Sequence, residues 1–401
     1  MTAATDHSRY QVILDAPEPP FAYVDLDAVG INARRMLASA SGKPIRIASK
    51  SVRSRPLLER FLALSPGFRG LLNLTLPEAL WLFNQGFRDL LVAYPTTTTA
   101  ALGELAALTE AHPDDAPAVM VDCSEHLDLI AGGVRPGAPP VRVCLDLDVG
   151  YWLLGGRIQL GPKRSPIRSP DAAASLAREI ERRPQVRLVG AMAYEGQIAG
   201  IADRVPRRLL ENLAIREIKR RSKREVAERR AAIIAAIRAV SELEFVNGGG
   251  TGSISSTAAE PAVTEIAAGS GFYAPMLFQY YRSLTLAPAA GYVLPVARKP
   301  AANIATALGG GYIASGPTRH DRQPVPVWPP GLHLDPLEGA GEAQTPLRGP
   351  AAATLRPGDH VHMRHAKAGE LCERFNSLHL VRGGRVIDEV PTYRGEGKCF
   401  L

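Results

Sequence analysis

The stretch LEFVNGGGTGS, residues 243–253, places a short apolar run directly before a glycine-rich turn. Upstream, similar apolar runs alternate with longer segments that have the apolar spacing of helices. The runs cover residues 22–26, 45–49, 70–74, 89–94, 118–122, 141–149, 187–194 and 243–249. Strands that alternate with helices predict a parallel sheet with helical crossovers. Residues 21–280 are therefore predicted to form an α/β fold, a (β/α)8 TIM-type barrel, with an open doubly wound sheet as the alternative.

Helical patterns separate the apolar runs. They cover residues 27–40, 55–64, 77–86, 98–111 and 170–183. Pro56 and Pro77 stand near the start of two of these segments, where a missing backbone N–H costs little. Because the carboxyl ends of barrel strands meet at one rim, functional side chains are expected directly after the apolar runs.

The pattern changes after about residue 285. Short apolar runs over 302–308, 359–366, 377–384 and 385–393 are separated by turn residues, without helical segments between them. This spacing predicts an antiparallel β domain over 281–401, to which we assign residues 1–20 with the strand YQVIL at 10–14. Residues 317–350 contain eight prolines and four glycines, which predicts a long irregular loop.

The composition limits the class of protein. Of 401 residues, 46% are hydrophobic and 22% are charged, which excludes wholesale disorder. No window approaches the run of about 18 apolar residues that a membrane-spanning helix needs. The start of the sequence lacks a secretory pattern, and the four cysteines, at 123, 144, 372 and 399, form no CxxC pair. These features predict a cytoplasmic protein without disulfides.

The excess of positive charge is local. The net charge is +7, and residues 203–230 contain 11 Lys or Arg against five Asp or Glu. We interpret this segment as a solvated helix with i,i+4 pairs such as Glu225 with Arg229. Nucleic-acid binding would need an aromatic platform beside the charge, and the segment has no aromatic residue.

Lys50 directly follows the apolar run at 45–49, so it is expected at the carboxyl rim of the barrel. A lysine that is partly desolvated there can act as an amine nucleophile toward a carbonyl group. Two glycine-rich turns follow other runs, NGGGTGS at 247–253 and GSG at 269–271. Such turns let backbone N–H groups converge on an anion, and neither matches the dinucleotide or P-loop pattern.

Lysine and a phosphate cradle on a barrel suggest pyridoxal 5′-phosphate (PLP), whose ring acts as an electron sink. The segments YVDLDAVGINARRM (23–36), NGGGTG (247–252) and TEIAAGSGFY (264–273), together with Lys50, resemble fold-type III PLP-dependent enzymes. These are the alanine racemase-like barrels, and the resemblance is to their D-threonine aldolase and D-serine dehydratase branch. It spans essentially the whole chain and implies a homodimer.

The resemblance assigns roles residue by residue. Lys50 matches the lysine that forms the Schiff base, and Tyr194 matches a strand-end tyrosine beside the cofactor, with an expected catalytic role. Arg164 fits the arginine near the pyridine nitrogen better than Arg157. The other expected cofactor-binding residues are Asn247, Gly249, Gly250, Thr251, Gly252, Ser270 and Tyr273. We also expect Arg46 and Arg53 to serve the phosphorylated cofactor and a carboxylate substrate.

The chain departs from the branch at its metal motif. His365 matches the metal-ligating histidine, but Lys367 stands where the branch has a cysteine or an acidic ligand. An ammonium group cannot ligate a metal ion, so a Zn or Mn site is in doubt. Cys372 is the alternative second ligand. Without a metal, His365 is expected to act as a general base or hydrogen-bonding group near the substrate.

These features predict a lyase that cleaves a small β-hydroxy amino acid, of D configuration, by retro-aldol cleavage or by β-elimination with loss of ammonia. A PLP-dependent amino-acid racemase is the alternative enzyme, because acid–base groups on both faces of Cα would serve that reaction. A non-catalytic PLP-binding protein of cofactor homeostasis is the alternative from a different class. The expected partners are a small amino-acid substrate and a second copy of the chain, with no nucleic acid and no membrane.

Overall fold

A computed structural model shows a closed barrel and a second sheet. It describes residues 13, 15–153, 157–206, 208–316 and 320–400. The barrel has eight parallel strands in the spatial order β10-β11-β2-β3-β4-β5-β6-β9. In chain order these are β2 (Ile45–Ala48), β3 (Phe68–Asn73), β4 (Leu90–Val92), β5 (Ala118–Val121), β6 (Val141–Leu147), β9 (Val186–Ala193), β10 (Phe245–Gly248) and β11 (Glu265–Ala268). The predicted barrel is confirmed.

Helices surround the barrel at the positions that the sequence predicts, 27–40, 55–64, 77–86, 98–111, 170–183 and within 203–230, and at further positions that it does not. They are α1 (Leu26–Ala40), α2 (Arg55–Leu62), α3 (Leu76–Asn84), α4 (Thr99–Ala111), α5 (Ser124–Ala131), α6 (Pro170–Glu181), α7 (Gly196–Ala199), α8 (Leu209–Arg238), α9 (Ile254–Ala258) and α10 (Ser270–Tyr273). Pro56 and Pro77 lie in the first turns of α2 and α3. A two-stranded hairpin, β7 (Tyr151–Leu153) and β8 (Ile158–Leu160), follows β6. In the described part of the chain, none of the helices combines the length and the apolar character needed to cross a membrane.

The second sheet has nine strands and is antiparallel except for one pair. Its strands are β1 (Phe21–Asp25), β12 (Ala290–Ala301), β13 (Ile304–Leu308), β14 (Val325–Trp328), β15 (His333–Leu334), β16 (Gln344–Arg348), β17 (His360–Arg364), β18 (Ser377–Arg382) and β19 (Arg385–Pro391). The predicted C-terminal β sheet is confirmed. Strand β1 pairs antiparallel with β12 and parallel with β18, so the start of the described chain lies inside this sheet.

The assignment of residues 22–26 to the barrel is wrong. Strand β1 is almost completely buried, as a barrel strand would be, so its apolar character does not distinguish the two sheets. The eighth barrel strand is instead β11, which begins the segment that ends in Gly269-Ser270-Gly271. The predicted strand at 10–14 lies outside the described residues apart from Ile13, which packs against the cluster of Phe21 and Val293.

The expected irregular loop over 317–350 is also wrong in part, because it contains the strands β14, β15 and β16, while residues 317–319 lie outside the described residues. Within the described part of the chain, strand β14 pairs with β17 alone and so has one edge without ladder hydrogen bonds. An edge strand of this kind tolerates Pro326. Strand β16, between β13 and β15, also contains a proline, Pro346, so the proline content of the segment did not exclude strands.

A buried ion pair holds the amino-terminal end of the barrel. Arg46 of β2 contacts Glu265 of β11 through Nε at 2.7 Å and Asp89 through a terminal nitrogen at 2.8 Å. This arginine lies with Asp89, Asp114 and Glu244 at the strand starts, away from the carboxyl rim. The expectation that Arg46 serves a cofactor is therefore wrong.

Replacing Arg46 with methionine is expected to lower the free energy of unfolding by about 3–5 kcal/mol, because Glu265 is left buried without its cation. Arg60→Met is the control, since Arg60 and Asp388 form an ion pair with both side chains about 40% exposed. That variant is expected to lose less than about 1 kcal/mol. Urea unfolding measures both, and equal losses would contradict the prediction.

Candidate active site

A cavity of about 310 Å³ opens at the carboxyl rim of the barrel. Its volume is at the lower end of the range of roughly 300–1,000 Å³ that small-molecule sites have. Its walls come from the residues that follow β2, β4, β9, β10 and β11, and from the loop 367–368 of the second sheet. Of the predicted site residues, Lys50, Arg164, Tyr194, Asn247, Gly249, Gly250, Thr251 and Ser270 line it.

Lys50 lies one turn beyond the end of β2, in the 3-10 helix Ser49–Ser51. Its ammonium group donates a hydrogen bond of 2.6 Å to the hydroxyl of Tyr94. Burial would raise the pKa of Tyr94, but the charge and hydrogen bond of Lys50, together with Arg164, lower it overall. Tyr94 therefore holds the amine in the cavity. Sequence reasoning missed this tyrosine, although it ends the apolar run at 89–94.

Arg164 lies between two aromatic rings. Its guanidinium carbon is 5.2 Å from the ring centre of Tyr94 and 5.0 Å from that of Tyr194. These distances are within the range of cation–π attraction. Burial raises the pKa of Tyr194 to about 12, so its hydroxyl stays protonated. The two rings therefore hold the arginine at the cavity wall, and among the described residues no carboxylate forms an ion pair with it.

Asp146, whose carboxyl group interacts with Arg164, changes charge near neutral pH. Burial raises the pKa of Asp146, at the end of β6, to about 7. Arg164 opposes this rise, while Asp122 and Asp148 add to it. Asp146 therefore links the charge around Arg164 to the pH. The sequence could have indicated Asp146, because it is an acidic residue inside the apolar run 141–149.

The two glycine-rich turns, 247–253 and 269–271, contact each other beside the cavity. The N–H of Gly271 donates to the Thr251 hydroxyl at 3.2 Å. The hydroxyls of Ser51 and Ser270 are 3.0 Å apart, so the lysine turn and the second glycine turn are in direct contact. The hydroxyls of Ser51, Thr251 and Ser270 therefore lie together on the cavity lining, and hydroxyl groups at such turns are suited to bind phosphate.

Glycine is required where these turns approach other backbone. Gly249 has a φ of +88°, and a Cβ on Gly269 would lie 2.5 Å from the Ala48 carbonyl oxygen. A Cβ on Gly250 would contact the Tyr194 ring at 3.0 Å. Gly252 lies on the outer side of the turn and does not line the cavity, but it packs against Ala199 with no room for a side chain.

Tyr273 and Cys372 lie outside the cavity lining. The Tyr273 hydroxyl donates to the Val52 carbonyl oxygen at 2.8 Å, and the Cys372 thiol is 3.2 Å from the same oxygen. Burial raises the pKa of the Cys372 thiol to about 12. Tyr273 was expected to bind the phosphate. Its hydroxyl instead faces the Val52 backbone, so the structure does not place it at the phosphate cradle. Arg53 is likewise held away, by Glu373 at 2.6 Å.

His365 lines a separate cavity of about 250 Å³, beside Tyr312 and Leu371. It is only 2% exposed, and burial together with Arg364 lowers its pKa to about 3. The structure therefore does not bring His365 into contact with the Lys50 cavity. The two cavities share the neighbouring residue Lys367.

The residues around His365 do not fit a metal ion. A metal-bound cysteine must be a thiolate, whereas Cys372 is held as a thiol against the Val52 carbonyl. Among the described residues, a group of three candidate ligand atoms occurs only at Asp122, Cys123 and His126, after β5. We derive no step through a metal ion.

Two further cations line the cavity on the side of the second sheet, Arg322 and Lys367. Lys367 donates to the Ser315 hydroxyl at 2.6 Å and lies 3.5 Å from Glu370, so part of its charge is shared. None of the described residues that line the cavity is Asp or Glu. Sequence reasoning noticed Lys367 only as a missing metal ligand, and Arg322 falls within the segment predicted as a loop.

The residues present fit PLP. Lys50 supplies a primary amine, the turns at 249–251 and 269–270 supply hydroxyl groups on backbone packed too closely for a Cβ at Gly250 or Gly269, and Arg164 supplies a second cation in the lining. The cavity can do chemistry on a carbonyl carbon beside the Lys50 amine while it holds an anionic group in the cradle.

Comparisons with known proteins agree with this fold. No protein-family model matches the chain. The chain is 26% identical over 268 residues to the 3-hydroxy-D-aspartate aldolase of Paracoccus denitrificans (strain Pd 1222), a match that covers 63% of this chain. The match spans 62% of that protein's length.

Solved structures resemble the whole chain. D-threonine aldolase from Filomicrobium marinum superimposes with a TM-score of 0.76 at 20% identity, covering 96% of both chains. D-threo-3-hydroxyaspartate dehydratase from Delftia sp. HT23 gives 0.71 at 21%, covering 95% of this chain and 98% of that one. Alanine racemase from Bacillus anthracis gives 0.61 at 15%, covering 95% and 100%. The protein has the alanine racemase-like fold. Among these three structures, the aldolase and the dehydratase have the higher TM-scores.

The Lys50–Tyr94 contact makes a prediction for pH titration. Tyr94 is expected to ionise below the pKa of about 10 of free tyrosine. Its folded pKa lies below the unfolded one, so it stabilises the fold above the unfolded pKa, and this contribution is lost as the pH falls through the folded pKa. The tyrosinate absorbance of the wild type minus that of Tyr94→Phe measures this ionisation. Tyr194→Phe is the control and should remove a titration near pH 12.

Proposed function

We propose that the protein is a PLP-dependent lyase that acts on a small β-hydroxy amino acid of D configuration. The observation that carries this proposal is the meeting of the Lys50 amine and the glycine-rich cradle in one cavity, joined by the Ser51–Ser270 contact. The names of the relatives support it, since two are aldolases and one is a dehydratase of β-hydroxy amino acids.

The residues divide the work of binding and proton transfer. When bound, PLP supplies an electrophilic carbon for an amine and a ring that accepts the electron pair released at the substrate Cα. The hydroxyls of Thr251 and Ser270 would hold the phosphate, and Arg164, between the Tyr94 and Tyr194 rings, would supply a cation beside the cofactor. Tyr94 orients the Lys50 amine until it is needed. Lys50 then moves protons at the substrate, with Tyr94 as its hydrogen-bonding partner.

Two outcomes follow from where Lys50 takes its proton. Removal of the β-hydroxyl proton breaks the Cα–Cβ bond, releases an aldehyde and returns a proton to Cα, which leaves glycine. Removal of the Cα proton expels the β-hydroxyl as water, and hydrolysis of the resulting enamine then gives ammonia and a 2-oxo acid. The position of the hydroxyl relative to Lys50 and Tyr94 decides between them.

Lys50→Ala tests the proposal. The wild type with added PLP is expected to show the visible absorption of the protein-bound cofactor, and the variant is expected to lack it. Turnover should fall by at least about 10²–10⁴-fold, because Lys50 also moves the protons. Lys398→Ala replaces an exposed lysine and should change neither. A wild type that stays colourless with PLP sinks the proposal.

The products separate the reactions. D- and L-β-hydroxy amino acids are incubated with the wild type, and aldehyde and ammonia are assayed separately. Aldehyde shows cleavage and ammonia shows elimination. In deuterated water, inversion at Cα with uptake of deuterium there and neither product supports the racemase, and bound PLP without any turnover supports the non-catalytic PLP-binding protein. The homodimer and the cytoplasmic location stay predictions from the sequence, and so do the domain bounds apart from the assignment of residues 22–26.

Arg322 and Lys367 are expected to bind a substrate carboxylate, because they are the cations that the C-terminal part of the chain contributes to the cavity lining. Arg322→Met and Lys367→Met should each raise KM by about tenfold and leave kcat within about twofold, since an interaction made equally in the ground and transition states affects KM. Lys163→Met, an exposed lysine outside the lining, is the control. Steady-state kinetics check this, and a fall in kcat alone would contradict it.

A further inference from the structure

The basic helix α8 sends one arginine into the interior. Arg230 is 0% exposed and donates to Glu195 and Glu260 at 2.6 Å each, and to the Ala193 carbonyl oxygen at 3.2 Å. Part of the segment is a solvated helix as predicted, with Arg224 and Glu228 in an exposed i,i+4 pair, but Lys219 is also buried, 3.5 Å from Asp203. A fully buried arginine needs partners for its charge, and it finds them behind the glycine-rich turn.

Glu195 connects this arginine to the turn. It directly follows Tyr194, so Tyr194 faces the cavity while Glu195, 1% exposed, faces α8. Its Oε2 accepts from Arg230 and from the N–H of Gly249, the latter at 3.3 Å. Its Oε1 accepts from the hydroxyls of Ser253, at 2.8 Å, and Thr257. One carboxylate therefore contacts both ends of the turn 249–253.

The same contacts decide which donors of the turn are free for an anion. The N–H of Gly249 is taken by Glu195, and that of Gly250 donates to the Ser253 hydroxyl at 3.1 Å. Glu195 and Ser253 therefore fix the conformation of the turn on the side away from the cavity. An anion in the cavity would be bound by groups that face it, such as the Thr251 hydroxyl. Gly249, at a φ of +88°, holds a conformation that glycine adopts more easily than other residues.

A carboxylate behind an anion site would repel phosphate unless its charge were balanced. Burial would raise the pKa of Glu195, but Arg230 and the hydroxyls of Thr257 and Ser253 outweigh this and hold it below its ordinary value. The carboxylate is therefore held in its ionised form, and Arg230 offsets its charge while it also pairs with Glu260. This explains why an arginine is buried at this point of α8.

We propose that Glu195 and Arg230 are positioning residues that hold the turn 249–253 in the shape that binds the phosphate group of the cofactor. This inference rests on the proposed function for the identity of the cofactor. It extends that function to residues that touch neither cofactor nor substrate, and it gives the basic segment a role at the site.

The test compares two variants that change the local charge in opposite directions. Glu195→Gln removes a negative charge and Arg230→Met removes a positive one. A positioning role predicts that both raise the dissociation constant for PLP by about tenfold, equal to 1.4 kcal/mol. A purely electrostatic role predicts tighter binding for Glu195→Gln and weaker binding for Arg230→Met, which would overturn the proposal.

Pyridoxal, which lacks the phosphate, separates positioning from general damage. Its dissociation constant should stay within about twofold of the wild type in both variants, because Lys50 still meets the aldehyde. Parallel losses for PLP and pyridoxal, or no loss for either, would overturn the proposal. Absorbance titration measures both ligands, and Glu228→Gln, on the exposed face of α8, is the matched control.

Thr257→Val keeps the test usable if a buried charge variant does not fold. This substitution removes the hydrogen bond from the Thr257 hydroxyl to Glu195 and changes neither the charge nor the shape of the side chain. It should also raise the dissociation constant for PLP and leave that for pyridoxal unchanged. Binding of inorganic phosphate, followed by phosphorus NMR, is measured in parallel. A wild type that binds phosphate but neither PLP nor pyridoxal contradicts the proposed function. The positioning role is then tested by comparing the dissociation constant for phosphate between the wild type and the variants. A wild type that binds none of the three overturns both.

Discussion

The pairing of β11 with β2 closes the barrel, and the site depends on this closure. Ile266 pairs with Ile45 and Ala268 with Ile47, so the turns that follow the two strands emerge side by side. Ser51 and Ser270 are 219 residues apart in the chain and in hydrogen-bond contact in space. In an open sheet these strands would be separated edges, and the amine would lie far from the glycine-rich cradle.

The second sheet completes the cavity from the other side. The N–H groups of Met276 and Leu277 donate to the carbonyls of His365 and Ala366, which ties the segment after β11 to the loop after β17. Lys367 follows immediately in that loop. Strand β1, inserted between β12 and β18, anchors the start of the barrel segment in the same sheet. The barrel supplies the amine and the cradle, and the second sheet supplies the cations at the mouth.

Local sequence patterns predicted those features of the fold and the site that depend on residues close together in the chain. Seven of the predicted apolar runs are barrel strands, and Lys50 and the glycine-rich turns lie at strand ends as expected, because both features are encoded within a few residues. Strand β1 was misassigned because a buried strand looks alike in either sheet. The positions of His365 and Tyr273 depend on packing between distant segments, which a motif does not carry. Tyr94 and Glu195 act through contacts that only the closed barrel creates.

The cationic lining of the cavity also bears on how ligands arrive. A concave site with Lys50, Arg164, Arg322 and Lys367 on its walls, and no described carboxylate there, focuses a positive potential into solvent. Such focusing speeds the capture of anionic ligands by about 10- to 10³-fold and fades as salt screens it. Phosphorylated and carboxylate ligands therefore gain in encounter rate over neutral analogues before any hydrogen bond forms, so selectivity begins in the approach and not only in the bound state.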